Sequence, residues 1–171
     1  MTADLRELSG RVWVFGDNLD TDLLAPGHAM RKPLEELSQH CLEAVLPGFA
    51  ASVQRGDLLI AGHGFGIGSS REQAAQALMH LGIAAVLAKS IARIFYRNAL
   101  NLGLPVARFE AADQIRTGDR LTVDLLSGRV RNQTTGLDHS CEPVPAFLLD
   151  MLRAGGLIPH LHKRLHGTPA G

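Results

Sequence analysis

Residues 58–72 read LLIAGHGFGIGSSRE, an apolar run that passes into four glycines at every second position. Two hydroxyl groups and a guanidinium follow at Ser69, Ser70 and Arg71. The pattern predicts a buried strand, a tight loop and the start of a helix, where backbone N–H groups carry partial positive charge. Such a place can bind an anion and activate a hydroxyl group.

The sequence on both sides of this stretch predicts alternating strands and helices. Strands separated by helices of about twelve residues indicate βαβ units and a parallel sheet, and a later hairpin adds antiparallel strands. The predicted fold class is therefore α/β. The predicted strands are 12–15, 58–61, 83–88, 104–109, 121–126 and 129–135, and the predicted helices are 32–44, 70–81, 91–102 and 145–154. Gly82 is predicted to end the helix over 70–81, and Ser90 is predicted to cap the helix over 91–102, which Gly103 ends.

Composition limits the class of protein. The 171 residues, 46% of them hydrophobic, predict one domain over residues 1–171 with a disordered tail at residues 167–171. Lys plus Arg and Asp plus Glu are 17 each, which argues against nucleic acid or an acidic membrane as a partner. Without a signal-peptide core or an apolar run of membrane-spanning length, the chain is predicted to be cytoplasmic.

The two cysteines and the C-terminal histidines lack the spacing or the companions of a metal site. Cys41 and Cys141 stand a hundred residues apart and are interpreted as reduced thiols. His160, His162 and His166 have no cysteine or acidic companion and are predicted to lie in a surface tail. We therefore predict no metal and no cofactor bound by this chain.

Three familiar glycine-loop sites fail on their spacing. A dinucleotide fingerprint would need its third glycine where Ile67 or Ser69 stands, a phosphate-binding P-loop needs a lysine, and a nucleophile elbow needs Gly-x-Ser-x-Gly. A capping box from Ser69 to Glu72 does fit. It explains neither Arg71 nor the four glycines, which are useful where a ligand or another chain approaches closely.

Several motifs together resemble one family. In chain order they are Gly16–Asp22 followed by Pro26–Gly27, Phe65–Glu72, Ala92–Ala99 and Gly155–Leu157. In this order they resemble the small subunits of 3-isopropylmalate dehydratase, the swivel domains of the aconitase superfamily. The resemblance spans nearly the whole chain and implies a swivelling β/β/α domain of the aconitase type, a mixed sheet with flanking helices. It also implies the interconversion of 2-isopropylmalate and 3-isopropylmalate by dehydration and rehydration, in leucine biosynthesis.

The resemblance assigns roles to the Ser-Ser-Arg trio. By position, Ser69 would be the base that removes the proton next to a substrate carboxylate. Ser70 and Arg71 would bind that carboxylate, for which a guanidinium offers paired donors. An alkoxide at Ser69 needs nearby positive charge, which Arg71 and the helix start can supply.

The resemblance also singles out the loop before the first predicted helix. Arg31 stands where members that accept an extra carboxylate carry an arginine, and it would bind substrate. Asp20, Thr21 and Asp22 are predicted to order the loops or orient arginines, since carboxylates in direct contact would repel the substrate. The segment 27–33 is expected to be mobile in the free subunit.

The family uses a [4Fe-4S] cluster whose open iron acts as a Lewis acid on the leaving hydroxyl group. Such a cluster needs three or more cysteines, and this chain has two. The resemblance therefore implies a partner, a large subunit that carries the cluster, together with a small hydroxy-di- or tricarboxylic acid substrate. The chain alone would be inactive.

Three departures from the family pattern leave alternatives open. Ile67 replaces a cysteine, Gln73 a histidine, and His63-Gly64 a Glu-Asn pair. The substrate could then be homoaconitate, a citrate-like acid or a methyl-substituted malate. A non-catalytic binding or regulatory module with the swivel fold is a third hypothesis, against which the intact Ser-Ser-Arg trio counts.

Overall fold

A seven-stranded mixed sheet forms the centre of the computed structural model, which describes residues 4–167. The strand order is β4-β3-β2-β1-β5-β6-β7. Strands β1 to β4 pair in parallel, and the pairs β1–β5, β5–β6 and β6–β7 are antiparallel. The strands are β1 (Leu8–Val14), β2 (Leu58–Ala61), β3 (Ala85–Ala88), β4 (Val106–Arg108), β5 (Arg120–Asp124), β6 (Arg129–Asn132) and β7 (Asp138–Ser140).

The parallel half confirms the predicted βαβ units. Every residue of β2 and β3 is buried, which requires cover on both faces of the sheet. Helix α4 (Glu72–Leu81) and helix α5 (Arg93–Leu102) connect the parallel strands. Each ends at its predicted glycine, Gly82 with φ 98° and Gly103 with φ 96°, in the left-handed conformation that suits a helix C-terminus.

The segment before β2 differs from the prediction. The predicted helix over 32–44 is only α2 (Leu34–Ser38), and two short helices were not predicted, α1 (Thr21–Leu24) and α3 (Phe49–Ser52). Leu42 has a positive φ of 58° and donates its N–H to the carbonyl oxygen of Leu23 at 2.8 Å. The chain therefore bends at Leu42. Of the apolar residues that suggested a helix, Leu37, Cys41 and Leu42 remain buried, and Leu34 is 37% exposed.

The C-terminal part contains one confirmed helix and one that was missed. Helix α6 (Ala146–Arg153) matches the prediction, but α7 (Leu157–His166) occupies the segment predicted as a surface tail. No residue of α7 is buried, although Leu157, Leu161 and Leu165 recur at every fourth position and Leu157 packs against the core. The predicted disordered tail covered residues 167–171. Gly167 ends α7, and residues 168–171 lie outside the described residues.

Both cysteines are free and buried. Burial raises the pKa of the Cys41 thiol to about 12 and that of Cys141 to about 11, so both are protonated at neutral pH. Within residues 4–167, no helix combines the length and the apolar character that crossing a bilayer requires.

Candidate functional site

Two loops run side by side beyond the carboxyl ends of β1 and β2. The loop after β1 holds residues 15–21, and the loop after β2 holds residues 62–71. Main-chain hydrogen bonds continue between them after the strands end, so the glycine-rich loop is held in place along most of its length. These bonds run from Phe15 N to Ile60 O (2.8 Å), Gly62 N to Gly16 O (3.1 Å), Asn18 N to His63 O (2.7 Å), Gly66 N to Leu19 O (2.7 Å) and Thr21 N to Ile67 O (2.8 Å).

The glycines of this loop face other parts of the same chain. A Cβ at Gly62 would overlap the carboxylate of Asp17, and one at Gly66 would overlap the side chain of Phe95. The sequence predicted close approach by a ligand or another chain. The structure instead shows that the neighbouring loop and helix α5 approach the glycines.

The segment just before α5 also holds the glycine loop by hydrogen bonds. Ser90 Oγ accepts the N–H of Gly64 at 2.7 Å, and the Ser90 carbonyl oxygen accepts the N–H of Phe65 at 3.1 Å. The predicted capping role of Ser90 is therefore wrong, because α5 begins two residues later with Ala92 as its N-cap. Ser90 satisfies the backbone of the loop instead of the backbone of the helix.

Ser69 and Ser70 are exposed between the last glycine of the loop and helix α4. The predicted capping box does not form, because the N-cap of α4 is Arg71 and no side chain caps it. The Ser69 carbonyl oxygen accepts the Arg71 N–H at 2.8 Å, which closes a turn just before the helix. Within residues 4–167 neither serine hydroxyl makes a hydrogen bond, so both remain available beside the helix start.

Arg71 is anchored by the other loop. Its Nη1 atom donates to Asp22 Oδ1 at 2.7 Å and to the Ala25 carbonyl oxygen at 2.9 Å. Asp22 also accepts the Gly27 N–H at 2.9 Å. The hydrogen bond from Arg71, followed by that from Gly27, holds the pKa of Asp22 below its usual value, so its carboxylate is charged at neutral pH. The guanidinium therefore has a fixed position and a permanent counter-ion.

The two residues before Asp22 organise the short helix α1. Asp20 is its N-cap and accepts the Leu23 N–H at 2.9 Å. Thr21 is buried and bonds through its own N–H to the glycine loop. Asp20, Thr21 and Asp22 thus contact the backbone or the arginine of the site. The sequence motif identified these residues, but Ile67 and Arg71, the partners of Thr21 and Asp22, are distant in the chain.

Comparison with known proteins assigns a family to this arrangement. The family model for the aconitase C-terminal domain matches residues 29–111. A 3-isopropylmalate dehydratase small subunit from Thermotoga maritima is 48% identical over 94% of this chain and 97% of that protein. The chain belongs to the 3-isopropylmalate dehydratase small-subunit family.

Further comparisons agree with the family assignment. A crystal structure of 3-isopropylmalate dehydratase from Methanocaldococcus jannaschii is 40% identical, with a TM-score of 0.88 over 94% of this chain and 96% of that one. This confirms the predicted fold class. A methanogen homoaconitase small subunit from Methanothermobacter thermautotrophicus is also 48% identical, over 92% of each chain.

The remaining candidate residues lie around the site without joining it. Arg31 is exposed just after a short 3₁₀ turn, Gly27–Ala29. Its guanidinium makes no hydrogen bond or ion pair within residues 4–167. Ile67, where the 3-isopropylmalate dehydratase small-subunit pattern has a cysteine, is 38% exposed in the loop and does not belong to the core. His63 is exposed in the glycine-rich loop, and Gln73 is half-buried in the first turn of α4.

Proposed function

We propose that this chain is the small subunit of a hydro-lyase that interconverts 2-isopropylmalate and 3-isopropylmalate in leucine biosynthesis. The observation that carries the proposal is the pair of exposed hydroxyl groups at Ser69 and Ser70, which have no hydrogen-bond partner within residues 4–167 and lie next to the anchored Arg71. A surface serine beside a fixed guanidinium and a helix start suits proton transfer on an anionic substrate.

Each residue of the trio has a separate task in this proposal. Ser69 Oγ, as an alkoxide, accepts the proton from the carbon next to a carboxylate and returns it during rehydration. Arg71 and the N–H groups at the start of α4 stabilise the alkoxide. Ser70 and Arg71 bind the carboxylate and so keep the reacting carbon near Ser69.

The chain does not fit an iron–sulfur cluster. Such clusters are held by three or four cysteine thiolates, whereas Cys41 and Cys141 are two buried thiols with raised pKa values. We therefore place the cluster in a large subunit and assign removal of the substrate hydroxyl group to no residue of this chain. Because Ser69 and Ser70 are exposed, the partner would also complete the substrate-binding cavity.

A second substrate class is favoured by one specific observation. Arg31 offers a guanidinium without a partner within residues 4–167, close in sequence to the Asp22–Gly27 contact. An additional carboxylate, as in homoaconitate, would bind such a group, whereas an isopropyl group would prefer an apolar contact. The similarity to a methanogen homoaconitase small subunit is consistent with this alternative.

Reconstitution with a large subunit tests the function. The chain is co-expressed with a cluster-binding large subunit of the same genome, the cluster is rebuilt without oxygen, and hydration of isopropylmaleate, homoaconitate and methyl-substituted maleate is assayed. We expect no turnover by the chain alone and the highest kcat/KM with isopropylmaleate. A substrate whose substituent does not match an apolar pocket usually has a kcat/KM about 10- to 200-fold lower.

Two other results of this assay would support the two alternative hypotheses. A preference for homoaconitate that disappears in Arg31→Met would support the tricarboxylic substrate. A stable complex with an intact cluster and no turnover of any acid would support the non-catalytic binding module.

Asp22→Asn tests whether Asp22 orients Arg71. The amide keeps the shape of the carboxylate but loses its charge, so Arg71 becomes less fixed and we expect KM to rise about fivefold with little change in kcat. The matched control is Asp138→Asn, which weakens an exposed ion pair with Arg131 (3.1 Å) in the hairpin and leaves KM unchanged. A decrease in KM in Asp22→Asn would show that Asp22 competes with substrate for the guanidinium.

A further inference from the structure

Two histidines and a glutamate converge at the surface next to the loop that carries Arg31. His28 lies in the 3₁₀ turn, and His40 and Glu43 lie in the bend after α2. Glu43 Oε1 is 3.3 Å from His28 Nε2, and Glu43 Oε2 is 2.9 Å from His40 Nδ1. The two imidazole rings meet edge to face, with centroids 4.9 Å apart. The three potential ligand atoms all lie within 4.8 Å of one another.

The backbone holds this cluster together. Leu42, with its positive φ of 58°, turns the chain so that the Glu43 N–H donates to the His40 carbonyl oxygen at 3.3 Å. Leu42 itself and Cys41 are buried, and the Leu42 N–H is bonded to Leu23. The bend is thus fixed by core contacts, and its two polar side chains face the turn that holds His28.

The distances suit a small transition-metal ion. Ligands about 2.0–2.1 Å from a tetrahedral zinc ion are about 3.3 Å from one another. The contacts of Glu43 with His28 (3.3 Å) and with His40 (2.9 Å) are close to this edge length. The side chains of His28 and Glu43 are 61% and 41% exposed, so an ion has a free approach and water can complete its coordination.

We propose that His28, His40 and Glu43 bind a divalent transition-metal ion of the zinc class. Two imidazole nitrogens favour zinc, cobalt or nickel over magnesium and calcium, which prefer oxygen ligands. The site is separate from Ser69 and needs no cluster or large subunit. Neither the sulfur of Cys41 nor that of Cys141 takes part, because both cysteines are buried.

Metal binding would tie the turn at Gly27–Ala29 to the bend after α2. Arg31 follows this turn, and the Gly27 N–H donates to Asp22, the partner of Arg71. A bound ion would therefore slow the motion of the segment that carries Arg31. This consequence for substrate binding rests on the proposed function, but the existence of the site does not.

Cobalt and zinc titration of the whole metal-free chain tests the site. We expect one equivalent of Co²⁺ to bind with the visible absorption of a coordination number of four or five, and Zn²⁺ to displace it. His28→Ala and Glu43→Gln should each weaken binding by about tenfold or more, since loss of even an outer-shell partner costs that much. Both side chains are partly exposed, and circular dichroism confirms that the variants fold.

The control replaces a second pair of histidines. His162 and His166 lie one turn apart on α7, with ring centroids 4.4 Å apart, and are the alternative site for an imidazole-bound ion. His162→Ala/His166→Ala should leave the stoichiometric Co²⁺ band unchanged. The proposal is overturned if that variant loses the band, if His28→Ala and Glu43→Gln keep it, or if the wild-type chain shows none at saturating Co²⁺.

Hydrogen exchange provides a second readout that is independent of activity. We expect Zn²⁺ to slow the exchange of amides in residues 27–33 in the wild-type chain and not in Glu43→Gln. Equal exchange with and without Zn²⁺ in the wild-type chain would contradict the coupling between the ion and the Arg31 segment. Neither measurement uses the dehydratase reaction, so failure of the metal site and failure of the proposed function are distinguishable.

Discussion

Ser69→Ala is expected to lower kcat of the reconstituted complex by about 10²- to 10⁴-fold, the usual contribution of a positioned general base. KM should change little, because the proposed carboxylate ligands Ser70 and Arg71 remain. The Ser69 hydroxyl is exposed and makes no hydrogen bond within residues 4–167, so alanine removes no structural contact. Steady-state hydration and dehydration rates of the purified complex measure the effect.

The control for this variant is Ser140→Ala. Ser140 is an exposed serine at the end of β7, in the antiparallel part of the sheet, and its replacement should leave both kinetic constants unchanged. Size-exclusion chromatography establishes that the Ser69→Ala complex still contains both subunits. If that intact complex turns over at the wild-type rate, Ser69 is not the base.

The parallel half of the fold could be predicted because local and global signals agree there. Strand β2 (Leu58–Ala61) is short and entirely apolar, and the helices that follow each strand end at glycines with positive φ. The spacing of apolar residues wrongly predicted a helix over residues 32–44, because such spacing indicates which side chains are buried and not how the backbone runs between them. Leu42 is buried although the chain bends there. Helix α7 was missed although Leu157, Leu161 and Leu165 recur at every fourth position, because the prediction of a surface tail rested on its histidines alone.

The site was predicted in part for a similar reason. The trio at Ser69–Arg71 and the acidic motif at Asp20–Asp22 were both visible as motifs, but nothing local pairs Asp22 with Arg71, which is 49 residues away. Both predicted serine caps were wrong. Ser90 bonds to the glycine loop instead of its own helix, and a side-chain oxygen near a helix start does not reveal which backbone N–H it will accept.

Gly66→Ala is expected to cause the largest loss of stability among single methyl additions in the glycine loop. Gly66 has φ 77°, which costs a residue with a Cβ about 1–2 kcal/mol. The added Cβ would also overlap Phe95, which is buried and packed edge to face on Phe65 at a centroid distance of 5.0 Å. Overpacking of this kind costs about 1–3 kcal/mol more. The expected total is about 2–5 kcal/mol, measured by urea unfolding of the isolated chain.

Gly136→Ala separates the two causes. Gly136 has nearly the same φ, 75°, but a Cβ there would meet no atom within 4 Å. Its replacement should therefore cost only the backbone term of about 1–2 kcal/mol. The difference between the two variants measures how firmly Phe95 supports the loop from behind. Equal losses in the two variants would mean that the Phe95 ring moves aside at little cost, and that hydrogen bonds to the neighbouring loop and to Ser90 position Ser69.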